Sequence, residues 1–172
     1  TEGKPPEIMK RLLTGLIVAT GFAAFGQLPY TWTGGVNPGW TSDGAGLQWR
    51  GGCSYVTTNC TGNYSNNMNT TYTSPVINAS CPDASTVSVT FTAFGNAEYT
   101  YDFMFIYYSL DNGATWINPY GAGIGWTGNF GASPGTTIPA ITLPSSSNMR
   151  FRFHFQSDYI YTYSGYKLTD FD

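Results

Sequence analysis

Residues 149–156 alternate without a break: Met149, Phe151, Phe153 and Phe155 are apolar, while Arg150, Arg152, His154 and Gln156 are polar. Successive side chains of a strand point to opposite faces, so this period of two describes a half-buried strand and excludes a helix. A strand with one apolar face belongs in an antiparallel sheet. Its phenylalanines then require a second layer to cover them.

Other segments repeat the pattern more weakly. Val87, Val89, Phe91 and Ala93 alternate with Ser88, Thr90 and Thr92 over 86–94. Residues 103–110 are apolar or aromatic on both faces, which predicts a central strand covered on both sides. Further strand signals fall at 47–50, 71–77, 136–143 and 166–171, separated by Gly, Pro, Asn and Asp clusters. The 21 Gly and 10 Pro of the chain suit many turns. Outside the first residues no long helical period occurs. The expected fold is all-β, an antiparallel two-sheet jelly-roll β-sandwich. Its predicted core includes Val87, Val89, Phe91, Phe103, Phe105, Met149, Phe151, Phe153 and Phe155.

The start of the chain reads as an address. Lys10 and Arg11 precede an apolar run over 12–25, and small residues Ala24 and Gly26 stand ahead of Gln27. That order is the pattern of a secretory signal peptide cleaved before Gln27. The run is shorter than the ~20 residues of a membrane span. Met9 then reads as the start, with 1–8 as upstream sequence. The expected organisation is 1–26 as upstream residues plus signal peptide and 27–172 as one β-sandwich domain. The last strand signal runs to the end without a polar tail, which predicts truncation at the C-terminus. The mature chain is expected to be secreted or at the cell surface, with no membrane span.

Seven Lys plus Arg against ten Asp plus Glu give a net charge of −3, which argues against a nucleic-acid partner. Export permits disulfides. Cys53, Cys60 and Cys81 allow three pairings, and the sequence does not choose among them. Asn59, Asn63, Asn69 and Asn78 each begin an N-x-S/T triplet, a pattern that arises by chance in a chain this rich in Asn, Ser and Thr.

Catalytic equipment is sparse. His154 is the only imidazole and reads as a solvent-facing strand residue, with no acid or nucleophile at a telling spacing. Ser145–Ser147 lack the frame of a nucleophile elbow. Gly121, Gly123 and Gly125 are not followed by the helix a phosphate loop needs. The run from Ser109 to Trp116 fits the S-x-D-x-G-x-T-W "Asp box". It predicts a strand, a tight Asp-Asn-Gly turn and a returning strand, with Trp116 folded back over the hairpin. A sialidase-like propeller would require several such boxes and an arginine cluster.

Two groups of residues remain as binding candidates. Glu98 and Asp102 flank the start of one strand signal and Asp158 follows another. Brought to one sheet edge, these three carboxylates would suit calcium, which takes hard oxygen ligands. Kept apart, they cap turns in solvent, and spacing alone favours this. Tyr159, Tyr161 and Tyr163 place their rings on one side of an extended segment, with Trp126 as a further candidate. Such rings offer a flat apolar face and a hydroxyl to a sugar, or else close one end of the sandwich.

Tyr101-Asp102-Phe103 resembles the Y-D-[YF] signature of CUB domains, and residues 145–168 resemble their closing strands. Residues 73–77, Asp102 and the 109–116 box resemble MAM-like jelly-roll modules of secreted bacterial multidomain proteins. The closing Gly165-Tyr166-Lys167-Leu168-Thr169-Asp170-Phe171 matches the ending of those modules in part, with Thr169 in place of an Asp. Both resemblances imply a binding or adhesion module for an extracellular glycan or protein. The CUB resemblance implies a calcium site at Glu98, Asp102 and Asp158, although the usual CUB cysteine arrangement is not reproduced. The other functional expectation is an accessory domain of a secreted hydrolase or protease.

Overall fold

A computed structural model describes residues 30–33, 38–44, 46–80, 84–131 and 135–172. The signal-peptide reading and Cys81 lie outside these residues. The described chain forms β1 (Thr41–Ser42), β2 (Gln48–Arg50), β3 (Tyr55–Thr57), β4 (Asn69–Thr73), β5 (Thr86–Val89) and β6 (Phe91–Asn96), then β7 (Phe103–Ser109), β8 (Asn129–Phe130), β9 (Thr136–Thr137), β10 (Ile141–Pro144), β11 (Arg150–Gln156) and β12 (Gly165–Phe171). All pairings are antiparallel, and the fold is all-β. Among the described residues no helix is long and apolar enough to cross a membrane.

One sheet runs β1-β4-β11-β7 and another β2-β3-β12-β6-β8, with β9 also on β6. Strand β5 leads into β6 across Thr90, and its pairing with β10 extends the β6–β9 ladder. Phe151, Phe153 and Phe155 of β11 are buried between the sheets, as their alternation predicts. Trp40 stacks on Phe153 at 5.6 Å, and Phe171 of β12 meets Phe151 edge-on at 5.0 Å. These are the contacts by which an apolar strand face joins two layers.

Strand β7 corrects the core expectation for Phe103, while Phe105 is buried as expected but from the other face of the sheet. The register pairs Ile106 with Phe153 and Met104 with Phe155, so Met104 and Ile106 face inward. Phe103 and Phe105 therefore lie on the outer face, stacked on each other at 5.6 Å, and Phe105 stands 6.0 Å from the His154 ring. Nor is β7 central: among the described residues it ends its ladder, and isolated bridges to Trp126 and Ile117 extend that edge. Its two apolar faces come from the outer aromatic row rather than from burial between strands on both sides.

The β6–β12 crossing depends on glycine. Gly95, at φ 142°, lies so close to β12 that an added Cβ would stand 2.2 Å from the Gly165 carbonyl oxygen.

Candidate functional site

Gln156 pairs with Phe103, so the residues just before β7 and just after β11 reach the same sheet edge. Asp102 and Asp158 occupy those places, and the Asp158 N–H donates to Asp102 Oδ1 at 2.7 Å. A turn brings in Glu98: the Asp102 N–H donates to the Glu98 carbonyl at 3.1 Å, with Thr100 at a left-handed φ of 68°. One oxygen from each of Glu98, Asp102 and Asp158 lies within 4.8 Å of the others. The three carboxylates converge, and Asp158 also caps its own turn, its Oδ1 accepting from the Ile160 N–H at 2.9 Å.

Asp102 is fully buried. Its Oδ2 accepts a hydrogen bond from the Tyr64 hydroxyl, which itself accepts from the Glu98 N–H at 3.1 Å. Burial and the Asp102 carboxylate hold the Tyr64 phenol in its protonated form, with its pKa raised. The Glu98 pKa is raised by desolvation, then by the charges of Asp158 and Asp102, against a hydrogen bond from the Tyr161 backbone. Glu98 Oε2 is enclosed and has no hydrogen-bond partner among the described residues. Crowded carboxylates and an enclosed acceptor without a donor form a donor set able to hold a hard cation such as calcium.

The loop after β11 is pinned through its backbone. The Tyr64 N–H donates to the Tyr163 carbonyl at 2.9 Å, and the Asn67 N–H to that of Asp158 at 2.6 Å. Asn66 Nδ2 donates to the Tyr159 carbonyl at 2.8 Å and Asn63 Nδ2 to the Thr162 carbonyl at 2.6 Å. The rings stay outside: Tyr159 is 70% exposed, Tyr161 61% and Tyr163 38%. Tyr99 and Tyr101, in the turn between Glu98 and Asp102, are exposed as well. These two were not among the residues expected from sequence, although their Tyr-x-Tyr spacing repeats that of the later loop.

Trp126 does not join this surface. Its ring stacks on Phe130 at 4.9 Å and lies 5.0 Å from Phe91, and its backbone pairs with Met104. It is half-buried and packs against the core. Tyr64 is the other residue that sequence reasoning missed, because it sits in an irregular segment with no period to read.

The remaining candidates have structural partners. His154 lies on the outer face, its Nε2 at 2.6 Å from Asn69 Oδ1, and burial followed by the Arg152 charge lowers its pKa. The 109–116 box is a hairpin closed by the Tyr108–Ile117 bridge. Asp111 accepts from the Thr115 hydroxyl and N–H and from the Ser109 hydroxyl, which holds its carboxyl down at about 2. Trp116 lies 3.9 Å beneath the Arg152 guanidinium. Cys53 and Cys60 form a disulfide.

No family model matches the chain, and no curated protein matches it either.

Proposed function

We propose that the chain is a noncatalytic extracellular binding module, a jelly-roll β-sandwich of the MAM-like or CUB-like kind. Its ligand surface is formed by Tyr159, Tyr161 and Tyr163, joined by Tyr99 and Tyr101. Calcium held by Glu98, Asp102 and Asp158 fixes the two loops that carry them. The observation that supports this reading most is that exposed tyrosines on two loops flank three convergent carboxylates.

An exposed tyrosine presents a flat apolar face and a polar rim, which suits the apolar face and hydroxyls of a sugar ring. A glycan is therefore the proposed ligand. The cation offsets the repulsion among the carboxylates and supplies Lewis-acid charge beneath the loops. Glycan-array binding tests the proposal. Tyr161→Ala is expected to lose binding at an unchanged melting temperature. A folded wild-type protein that binds no glycan on a broad array would overturn the sugar reading and leave an extracellular protein as the ligand.

A further inference from the structure

A polar pocket of about 250 Å³ lies beside the loop that follows β11. Two of its walls, Asn63 and Tyr64, hold the Thr162 and Tyr163 carbonyls of that loop. Tyr64 is also shared with the acidic cluster, through its hydroxyl on Asp102. Two further walls, Arg50 and Asn59, are brought together by the Cys53–Cys60 disulfide. The Cys53 N–H donates to the Arg50 carbonyl at 3.2 Å, and Asn59 directly precedes Cys60.

The walls set a cation among neutral donors and acceptors. Arg50 is the charged wall, and no acidic side chain lines the pocket among the described residues. The Arg50 Nε donates to the Thr57 carbonyl at 3.2 Å and its Nη2 to the Gly46 carbonyl at 3.1 Å. Both acceptors are neutral, so these bonds fix the guanidinium without cancelling its charge. Asn59 is oriented by the Thr61 N–H, which donates to its Oδ1 at 3.4 Å. Thr58, another wall, is buried, and its Oγ1 has no hydrogen-bond partner among the described residues. Asn63 and Ser65 are exposed and form the mouth. The volume is several times the ~30 Å³ that liquid water gives one molecule, which leaves room for more than a lone inorganic anion.

We infer that this pocket receives the carboxylate-bearing ring of an acidic glycan, with Arg50 facing the carboxylate and the Asn59, Ser65 and Thr58 side chains facing the ring hydroxyls. The inference rests on the glycan reading above and gives that glycan its chemical class. A charge-assisted bond from a planar guanidinium to a carboxylate is roughly twice as strong as a neutral one, so the acid is preferred over its uncharged form. A cation set in a pocket also draws anionic ligand toward a chain whose net charge is −3. Because Asn63 and Tyr64 hold the tyrosine loop, sugars leaving the pocket pass directly onto that loop.

Titration with a galacturonate trisaccharide and with its methyl ester, which keeps the rings and removes the charge, tests the inference through NMR amide shifts. The acid is expected to shift Asn59, Asn63 and Ser65 and to bind several-fold more tightly than the ester. Arg50→Gln is expected to remove that preference. Arg50 also holds two carbonyls, so a charge pair at the exposed Ser65 gives a second test. Ser65→Lys is expected to tighten binding of the acid and Ser65→Asp to weaken it. Equal binding of acid and ester, with shifts confined to residues 159–163, would overturn the pocket and leave the glycan reading standing. Neutral glycans bound on an array while neither galacturonate form binds would do the same. A preference that Ser65→Asp keeps and Asp158→Asn removes would put the carboxylate on calcium and overturn the assignment to Arg50. Sulfate competing as well as the trisaccharide would make this a simple anion site and overturn the acidic sugar.

Discussion

Tyr64 and Asp102 are joined by a hydrogen bond from the phenol to a fully buried carboxylate, and the same phenol oxygen accepts from the Glu98 backbone. One side chain from an irregular segment thereby fixes both the buried acid and the turn that delivers the second acid. The tyrosine loops inherit their position from that link, because the Tyr64 N–H also holds the Tyr163 carbonyl.

Tyr64→Phe removes the donor and leaves Asp102 Oδ2 without it. A buried acceptor deprived of a partner costs about 1–3 kcal/mol, more when charged. Urea denaturation is expected to show a loss of that size. A variant as stable as the wild type would mean that the hydrogen bond contributes nothing to the native state.

Phe153→Ala removes a fully buried ring from the centre of the sandwich, where it touches Trp40 and Phe91. The expected loss is about 3–5 kcal/mol. Phe103→Ala, on the outer face, is expected to cost clearly less, and chemical denaturation of the two variants compares the faces directly.

Gly95→Ala places a methyl group against the β12 backbone rather than against a side chain that could swing away. The left-handed side of φ adds strain, so the loss is expected to exceed ~1 kcal/mol. A thermal melt within a degree of wild type would contradict the tight crossing.

Hydrogen bonds from Thr115 and Ser109 hold the Asp111 carboxyl down at about 2 in the folded state, below the unfolded value of ~3.9. Its hydrogen-bonded carboxylate therefore stabilises the protein above the unfolded value, and that contribution is lost as pH falls through about 2. Asp111→Asn is expected to trail the wild type in urea midpoint at pH 5, with the gap narrowing toward pH 2. A gap that holds constant across that range would exclude the linkage.

The aromatic face of β11 was legible because a period of two over a whole strand has one structural meaning. Strand β7 was not, since both of its faces are apolar and only the pairing of Met104 and Ile106 with Phe155 and Phe153 selects the inner one. Strands β1, β3 and β8 are two or three residues long, too short for a period, and tertiary pairing creates them. The acids could be named from sequence, but their proximity required the Gln156–Phe103 register. Trp126 is a reminder that an aromatic residue in a glycine-rich loop can point inward.

Calcium titration of the melting temperature tests the proposed site most directly, because a ligand bound only by the native state stabilises it. The wild type is expected to melt higher as calcium rises to about 1 mM, within the range of extracellular calcium sites. Asp158→Asn, which keeps a polar side chain at a half-exposed position, is expected to fold and to lose that rise. A wild-type melting temperature indifferent to calcium, or an equal rise in Asp158→Asn, would contradict a calcium site at Glu98, Asp102 and Asp158.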